Sequence, residues 1–341
     1  MKILQFKVQP FSIPFVKSFK NSNMKYENRE GLWLKIESEN FMGFGEASPL
    51  PMFSKESISE VYHVFEGFFH AVKDEEIDEE ELLLLAEVHC QGCPSARFAI
   101  ETAIYDILSR QSNISISKHL NVSSLSSIEI NGIMGSHIAS DGFKVIKVKV
   151  GLGNIFDEIE QIEKLTDSYG EKVLFRLDAN GFFDLPKAIR FCKEMEKFNI
   201  EYIEQPLPVD DIEDLKELQY HTDIPIALDE SITCIESAKK IIDMEMAQVF
   251  IIKPMVSGGF IESKKLIEVA KANKIIPIIS SSLETAIGRM ACIHLVASNE
   301  IKEACGLATD CFYNEQISTP KIENGMLDLP DKPGLGLKMG F

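Results

Sequence analysis

The chain has 341 residues, of which 45% are hydrophobic and 26% are charged. This balance is typical of a folded globular protein and excludes a mainly disordered one, and the length fits about two domains. The formal net charge is −18 at pH 7. A negative field of that size repels phosphate groups, so neither nucleic acid nor an anionic membrane surface is an expected partner.

No stretch approaches the roughly 18 continuous apolar residues that a membrane-spanning helix needs. Residues 1–7 alternate like a strand and lack the apolar core of a signal peptide. We therefore expect a cytoplasmic protein. The seven cysteines are few and odd in number, so no disulfide framework is expected. The sequence leaves the oligomeric state open, a homo-oligomer included.

The first 110 residues predict an α+β unit. Residues 32–36 and 41–45 are β-like and flank a polar turn at residues 37–40, which is typical of a hairpin. Strands followed by a run of helices define an α+β unit. Apolar residues at helical spacing follow in three segments, at residues 61–69, 75–88 and 95–108.

From about residue 128 the pattern changes to short β-branched runs separated by helical segments. After a first step of 17 residues the runs begin about every 24–28 residues, the spacing of parallel strand–helix units. No G-x-G-x-x-G motif follows an early strand, which weakens a dinucleotide-binding fold. We predict an α/β barrel over residues 111–311, a modified TIM-type (β/α)7β barrel. Its predicted strands are residues 128–132, 145–150, 173–177, 200–203, 225–228, 249–252, 275–279 and 304–307.

In such barrels the active site lies at the C-terminal ends of the strands. Lys147 and Lys149 end the second predicted strand. Side chains alternate along a strand, so both lysines share one face while Ile146, Val148 and Val150 share the other. The apolar face should contact the helices, which directs the lysines into the barrel, where they need anionic partners.

The next three strands each end in a carboxylate: Asp178, Glu204 and Asp229. Three converging carboxylates repel one another strongly without a cation. Hard oxygen ligands that leave open positions are what Mg²⁺ binds. We therefore predict that these three residues bind Mg²⁺, with Mn²⁺ as a substitute metal, and that Asn180 and Glu230 support the ligands.

The sixth strand ends in Lys253, across the barrel mouth from Lys147 and Lys149. Lysines on both sides of a metal make a local positive region that attracts a small anionic carboxylate substrate, in spite of the acidic surface. Burial and mutual repulsion lower the pKa of a lysine, so one of the three is expected to act as a general base.

Two further stretches at the strand ends predict substrate contacts. Ser281 and Ser282 follow the seventh strand, and their hydroxyl and backbone N–H groups suit a substrate carboxylate. Gly258 follows the sixth strand and opens a helix, whose N-terminus also suits an anion. Ordinary turn and helix-capping chemistry explains both stretches equally well.

Five motifs in chain order resemble the enolase superfamily, and in particular its muconate-lactonizing-enzyme subgroup. They are K-x-K at 147–149, D-A-N-G at 178–181, E-Q-P at 204–206, A-L-D-E-S at 227–231 and I-K-P with a later G-G within 252–259. The resemblance implies an N-terminal α+β capping domain over residues 1–110, with its capping loop at residues 43–51. It also implies a C-terminal tail, about residues 312–341, that packs back on this domain.

By this resemblance the chemistry is removal of a proton α to a carboxylate, through an enediolate, with Mg²⁺ bound to the carboxylate. Lys149 matches the catalytic acid/base of the family. Lys147 matches the lysine that tunes it, and Lys253 matches the lysine on the opposite side of the substrate. The seventh strand carries no histidine, which argues against the mandelate-racemase subgroup.

Within the subgroup, residues 130–132 and 305–310 resemble motifs of the o-succinylbenzoate synthases. These enzymes dehydrate 2-succinyl-6-hydroxy-2,4-cyclohexadiene-1-carboxylate in menaquinone biosynthesis. Arg176 matches a basic position that would reach the succinyl carboxylate through water. Dipeptide epimerases of the L-Ala-D/L-Glu type and N-acylamino acid racemases remain alternatives. The epimerases bind the dipeptide ammonium with D-x-D on the eighth strand, of which Asp310 alone is kept here, where the synthases usually have glycine.

Overall fold

The computed structural model describes residues 1–20, 25–51, 53–134, 142–170, 172–313, 317 and 319–339. The chain begins with an antiparallel sheet in which β2 (Lys25–Ser38) lies between β1 (Ile3–Lys20) and β3 (Met42–Ala47). The predicted hairpin at residues 37–40 is confirmed, since it joins β2 to β3. The predicted capping loop at residues 43–51 is wrong over its first half, which forms β3.

Three helices follow this sheet: α1 (Ile58–Val72), α2 (Glu79–His89) and α3 (Pro94–Gln111). A reciprocal cap starts α1, because Glu60 N donates to Ser57 Oγ at 3.2 Å and Ser57 N donates to Glu60 Oε2 at 2.7 Å. α3 is buried along nearly its whole length. It contacts both β3 and a barrel helix, so it connects the two halves of the molecule.

Two glycines of β3 let α3 lie directly on the sheet. A Cβ on Gly43 would be 2.0 Å from the carbonyl oxygen of Ala103, and a Cβ on Gly45 would be 1.9 Å from that of Ala99. Both obstacles are helix backbone, which cannot turn aside as a side chain can. The small residues of the G-F-G sequence therefore decide how closely the helix approaches.

We expect Gly45→Ala to lower the free energy of unfolding by at least about 2 kcal/mol, because the methyl group would force α3 off the sheet. Gly67→Ala is the matched control, since its added Cβ in α1 would meet only His89 Nδ1 at 3.9 Å. That change should stabilise the protein by about 0.5–1 kcal/mol through helix propensity. Urea unfolding of both variants checks this, and equal effects would contradict the close-approach explanation.

A short helix, α4 (Ile116–Leu120), and a short strand, β4 (Ser127–Glu129), lead into the barrel. The barrel strands are all parallel and neighbour one another in chain order. They are β5 (Gly132–Ile133), β6 (Val145–Lys149), β7 (Leu174–Asp178), β8 (Ile200–Glu204), β9 (Ile226–Leu228), β10 (Val249–Ile252) and β11 (Ile276–Ile279).

A two-residue eighth strand closes the sheet. Cys305 pairs in parallel with Ile130, and Gly306 pairs in parallel with Ser280. Gly306 N donates to Ile279 O at 2.9 Å, while Cys305 N donates to Glu129 O at 2.8 Å. This last strand thus lies between the end of β11 and the residues just before β5. The predicted (β/α)7β barrel is confirmed.

The helices around the barrel alternate with its strands. They are α5 (Ile155–Tyr169), α6 (Leu185–Met195), α7 (Leu215–His221), α8 (Ile235–Asp243), α9 (Pro254–Ser257), α10 (Gly259–Ala272) and α11 (Ala286–Ser298). Short 3-10 turns lie at Val209–Asp214 and Asp310–Phe312. Among the described helices, none has both the length and the apolar character that crossing a membrane requires.

The C-terminal segment contacts both halves of the molecule. β12 (Ile322–Glu323) and β13 (Met326–Asp328) form a small antiparallel sheet with β4. Before these strands, Tyr313 pairs with Phe15 of β1. After them, Leu335 N donates to Asp106 Oδ1 of α3 at 2.7 Å. Residues 314–316, 318, 340 and 341 of the predicted tail lie outside the described residues. The domain boundary near residue 110 stays a proposal.

His294 provides a test of the buried barrel helix α11, in which it is fully buried. Burial lowers the pKa of His294 to about 4, against the opposing effect of the Leu335 backbone. In the unfolded chain His294 takes up a proton near pH 6.5, whereas in the folded protein it does so only near pH 4. The free energy of unfolding therefore decreases as the pH is lowered from about 6.5 to about 4. Compared with His294→Leu, the wild type should lose about 2 kcal/mol between pH 7.5 and pH 5. Urea unfolding of both proteins at the two pH values measures this, and a constant difference would contradict it.

Candidate active site

Charged side chains from neighbouring strands meet at the barrel mouth. Lys147 Nζ lies 2.9 Å from Asp178 Oδ2 and 2.8 Å from the Glu204 carboxylate. Burial alone would lower the pKa of Lys147, but Asp178, Glu204 and Asp229 together raise it well above its ordinary value. Lys147 is therefore a fixed positive charge held between two of the predicted metal ligands.

Lys253 occupies the other side of the mouth. Its ammonium forms a short ion pair with Asp229, and it lies 4.1 Å from the centre of the Phe53 ring. Burial opposes its charge, but Asp229 and Glu230 outweigh burial and raise the pKa of Lys253. This lysine is thus paired and covered by an aromatic ring from the loop after β3.

Lys149 differs from the other two lysines because it is exposed at the mouth. Its Nζ donates to Asn180 Oδ1 at 3.1 Å, and Asn180 Nδ2 donates to Glu230 Oε1 at 3.0 Å. Desolvation by the surrounding protein lowers the pKa of Lys149; Asp178 opposes this, and the charges of Lys147 and Lys253 reinforce it. A lysine with a lowered pKa is suited to act as a general base.

The carboxylates at the mouth differ in pKa: burial opposes the charge of Asp178, but Lys147 and Lys149 outweigh burial and lower its pKa, whereas the pKa values of Glu204 and Glu230 are raised. Burial raises the pKa of Glu204 to about 8, and repulsion from Asp178 and Asp229 adds to it against the attraction of Lys147. Burial and the charge of Asp229 raise the pKa of Glu230 to about 7. Raised carboxyl pKa values of this kind mark a place where an additional cation is stabilised.

Within the described residues, no three acidic, histidine or cysteine side chains already surround one point in the manner of a formed metal site. Ammonium groups stand at the carboxylates instead: Lys147 bridges Asp178 and Glu204, and Lys253 binds Asp229. Each ammonium acts as a stand-in cation at these oxygens. The donor set, three carboxylates at adjacent strand ends, fits the hard oxygen ligands that Mg²⁺ takes.

The two serines predicted to bind substrate form contacts within their own loop. Ser281 Oγ donates to the Glu284 carboxylate in a short hydrogen bond, and Ser282 N donates to the same carboxylate at 2.9 Å. Ser282 is 2% exposed, and its hydroxyl has no partner among the described residues. The chain's own carboxylate therefore takes the hydrogen bonds of the Ser281 hydroxyl and the Ser282 N–H that the sequence assigns to a substrate, and leaves only the buried Ser282 hydroxyl without a partner among the described residues.

Strand alternation directs Ser280 to the mouth, a residue of the same serine run that the predicted pair Ser281 and Ser282 leaves out. Ile251 pairs with Ile278, and both belong to the cluster that fills the barrel interior. Two residues further along, alternation brings Lys253 and Ser280 to the same inner face, side by side. The signal was present in the sequence, since the spacing from Lys253 and Ile278 gives the face of Ser280.

A carboxylate of the protein also occupies the predicted anion site at Gly258. This glycine has φ 101° and lies between α9 and α10. Glu101 of α3 accepts a hydrogen bond from Ile261 N at 3.1 Å in the first turn of α10, and it pairs with Arg97 at 2.7 Å. A Cβ on Gly259 would lie 2.4 Å from Glu101 Oε2. The N-terminus of α10 thus binds α3, the helix that packs on the capping sheet.

Arg176 lies inside the barrel and is 0% exposed. Its guanidinium donates to Glu201 at 2.7 Å, to Asn131 Oδ1 at 3.1 Å and to Ala304 O at 2.6 Å. It also stacks over the Tyr202 ring at 4.8 Å. These contacts tie the third strand to the fourth, first and eighth, which is a structural role. They give no support to the predicted contact with a succinyl group.

Asp310 is paired with a buried arginine. Asp310 Oδ1 lies 3.0 Å from Nη1 of Arg289, a residue of α11 that is 1% exposed. Arg289 Nη1 also donates to Leu307 O at 3.3 Å. The carboxylate that would bind a dipeptide ammonium therefore already has a cationic partner at ion-pair distance.

Two residues that join the capping domain to the barrel escaped the sequence analysis. Arg29 of β2 is 3% exposed, and its hydrogen-bond acceptors among the described residues are backbone carbonyls, which include Ser48 O, Ser282 O and Leu283 O, the last at 2.8 Å. Leu283 O also accepts from Tyr313 Oη at 2.6 Å. Arg29 thus clamps the loop after β3 onto the loop after β11.

Glu46 of β3 makes a second connection. It is 0% exposed and accepts from Thr285 N at 2.9 Å, Thr285 Oγ1 at 2.6 Å and Gly288 N at 2.9 Å, which caps the N-terminus of α11. The sequence did contain a signal for this capping role, because Glu46 is the one charged residue of β3, whose other residues are small or apolar.

A cavity of about 200 Å³ adjoins Lys253 and Asp229. Its other lining residues are Phe53, Val209, Glu230, Ile232, Thr233 and Val256. A larger cavity of about 320 Å³ lies outside the barrel, between α3, α10 and α11, and none of the lysines and carboxylates at the mouth lines it. The chemistry therefore points to the smaller cavity.

A barrel that carries this lysine–carboxylate mouth under an α+β cap defines a class of acid–base enzymes. Residues 134–340 match the family described as Enolase C-terminal domain-like, and residues 3–107 match the MenC N-terminal domain. The chain belongs to the enolase C-terminal domain-like family, and its relatives include lyases, epimerases and racemases.

The L-Ala-D/L-Glu epimerase of Bacillus subtilis (strain 168) is 27% identical, over 99% of this chain and 97% of that protein. The o-succinylbenzoate synthase of the same strain is 26% identical, over 96% of this chain and 92% of that protein. The structure of a dipeptide epimerase from Enterococcus faecalis V583, complexed with Mg and the dipeptide L-Leu-L-Tyr, superposes with a TM-score of 0.90. That protein is 24% identical, and the match covers 99% of this chain and 100% of the other.

Proposed function

We propose that the chain catalyses the Mg²⁺-dependent dehydration of 2-succinyl-6-hydroxy-2,4-cyclohexadiene-1-carboxylate, the o-succinylbenzoate synthase reaction. The observation that carries this choice is the ion pair between Asp310 and Arg289 at 3.0 Å. It gives a cationic partner to Asp310, the carboxylate that the epimerase motif would use for an ammonium group, and Ala308 supplies no second carboxylate in that motif. A substrate without an ammonium group suits this mouth better, and one of the two relatives described above is named for the reaction.

We expect Asp178, Glu204 and Asp229 to hold the Mg²⁺. The positions of the Lys147 and Lys253 ammonium groups at these oxygens support the assignment, as does the Mg present in the similar epimerase structure. When bound, Mg²⁺ supplies a Lewis acid that binds the substrate carboxylate and makes the adjacent C–H more acidic.

Lys149 is the proposed base. Its neutral amine removes the ring proton from the carbon that bears the carboxylate. The electron pair of that C–H bond moves into the substrate carboxylate as an enediolate, and it then forms the new ring double bond as hydroxide leaves the neighbouring carbon. The Lys149 ammonium then returns its proton to the hydroxide, which leaves as water. The exposed position of Lys149 and its lowered pKa support both steps.

Lys253 and Phe53 hold the opposite face of the ring. The Lys253 ammonium stabilises negative charge that develops on the substrate, and the Phe53 ring excludes water from that side. Lys147 remains protonated between Asp178 and Glu204 and helps to keep the pKa of Lys149 low. The adjacent cavity of about 200 Å³ is the proposed location of the succinyl chain.

The alternatives are 1,1-proton transfers, which need a free base on each face of the substrate. Lys253 is covered by the Phe53 ring, whereas Lys149 is exposed at the mouth, so the two lysines are unequal, which favours a one-base elimination. An N-acylamino acid has no ammonium group, and its racemisation is therefore the second activity to test. The epimerase relative makes dipeptides the third.

A paired assay with purified protein and Mg²⁺ separates these activities. One arm follows dehydration of the cyclohexadiene substrate by ultraviolet absorbance, and the other follows deuterium uptake from solvent into dipeptides and N-succinylamino acids. We expect fast dehydration. Deuterium uptake into dipeptides without dehydration would overturn the proposal, and uptake into N-succinylamino acids alone would assign a racemase.

A further inference from the structure

Gln205 directly follows Glu204, and both the nitrogen and the oxygen of its side-chain amide are hydrogen-bonded. It is 1% exposed. Its Nε2 donates to Leu207 O at 3.0 Å and to Ser231 Oγ at 2.9 Å. Its Oε1 accepts from Asp229 N at 3.3 Å and from Ser231 N at 3.3 Å. One side-chain amide thus connects the end of β8 to the turn that carries Asp229.

The backbone of Gln205 extends the same connections. Gly181 N donates to Gln205 O at 2.7 Å, and Gln205 N donates to Ala227 O at 2.8 Å. The residue therefore contacts the turn after β7, the end of β8 and the end of β9. Those three strand ends carry the three carboxylates predicted to bind the metal.

The conformation of Gln205 carries strain. Its φ is +39°, in the left-handed region that residues other than glycine seldom adopt. Such a conformation persists when the surroundings determine it from several directions, and it is concentrated at functional sites. Here the surroundings are the six hydrogen bonds described above. A neutral amide also adds no charge beside three carboxylates that already repel one another.

We propose that Gln205 is a positioning residue that sets the spacing between Glu204 and Asp229 for a divalent cation. It contacts neither the cation nor the substrate and acts through the backbone of Asp229 and the side chain of Ser231. This inference rests on the Mg²⁺ site of the proposed function but not on the identity of the substrate.

The test compares Gln205→Met with a matched variant at the other end of the barrel. Gln248 makes a simpler bridge there: it is exposed, and its Oε1 accepts from Ile226 N at 2.8 Å, which links the start of β10 to β9. Both variants remove a glutamine that joins neighbouring strands, and only Gln205 lies at the mouth. Mn²⁺ binding is measured by electron paramagnetic resonance, together with kcat, KM and the melting temperature.

For Gln205→Met we expect Mn²⁺ to dissociate about ten- to a hundredfold more readily, the usual effect of removing a partner of a metal ligand. Its kcat should fall and its Mn²⁺ spectrum should change, while Gln248→Met loses melting temperature only. Ser231→Ala, which removes one partner of the Gln205 amide, should show a smaller shift in the same direction and serves if Gln205→Met does not fold.

Wild-type Mn²⁺ affinity in both Gln205→Met and Ser231→Ala would overturn the inference, as would an equal loss in Gln248→Met. Weakened Mn²⁺ binding in an enzyme that proves to be a racemase would support the inference and refute the synthase proposal. The two proposals therefore fail separately.

Discussion

Lys149→Ala is expected to lower kcat by a factor of about a thousand or more, because it removes the group that takes the proton and returns it to the leaving hydroxide. Lys147 cannot replace it, since Asp178 and Glu204 keep that lysine protonated. Lys253 cannot replace it either, because it lies on the opposite side of the mouth, against the Phe53 ring. The same loss should appear with whichever substrate the paired assay identifies.

The matched control is Lys144→Ala. Lys144 precedes β6 and has a side chain that is 71% exposed, 3.7 Å from Glu129. This change should leave kcat, KM and Mn²⁺ affinity at wild-type values. Mn²⁺ affinity should also survive in Lys149→Ala, which separates a lost base from a lost metal site. More than about a tenth of wild-type kcat in Lys149→Ala would show that another group takes the proton.

Glu204→Gln is expected to weaken Mg²⁺ binding by about a hundredfold or more and to abolish turnover, because it removes a charged ligand. Its effect on stability should depend on the metal. In the metal-free protein a neutral glutamine removes the ion pair with Lys147, but it also removes the repulsion from Asp178 and Asp229, and these two effects oppose one another. The variant should therefore melt close to the metal-free wild type.

Added Mg²⁺ separates the two proteins in a thermal melt. Excess Mg²⁺ should raise the melting temperature of the wild type, because it binds the folded state only, and should leave Glu204→Gln unchanged. Glu160→Gln is the control: Glu160 lies on α5, is 61% exposed and pairs with Lys164 at 2.6 Å. The melting temperature of Glu160→Gln should rise with Mg²⁺ as that of the wild type does. A normal Mg²⁺ response in Glu204→Gln would remove Glu204 from the ligand set.

The barrel and the ends of its strands follow from local rules. Alternation along a strand directs Lys147 and Lys149 inward, and the repeat of strand and helix brings the acids after the next three strands to one edge. These rules need only neighbouring residues and the geometry of a parallel sheet. The same rules would have identified Ser280 by its register with Lys253, had the face of the seventh strand been followed.

The partners of the remaining polar groups depend on contacts between distant parts of the chain. Glu101 and the start of α10 are 160 residues apart, Glu46 and Thr285 are 239 apart, and Arg29 and Leu283 are 254 apart. A helix N-terminus or a serine loop attracts any nearby anion, whether it belongs to a ligand or to the protein. The sequence pattern therefore identifies Gly258, Ser281 and Ser282 as groups that bind an anion, but it does not tell whether that anion belongs to a ligand or to the protein.

Periodicity and residue chemistry were enough to predict the barrel, the order of its strands and the lysines and carboxylates at its mouth. Only the tertiary structure decided which of the candidate groups remain open. Glu101 and Glu284 occupy the predicted anion sites, Arg289 pairs with Asp310, and Glu201 holds Arg176. The physical reason is that a buried charge must find a partner, and which partner lies within reach is a property of the packed chain rather than of its neighbours in sequence.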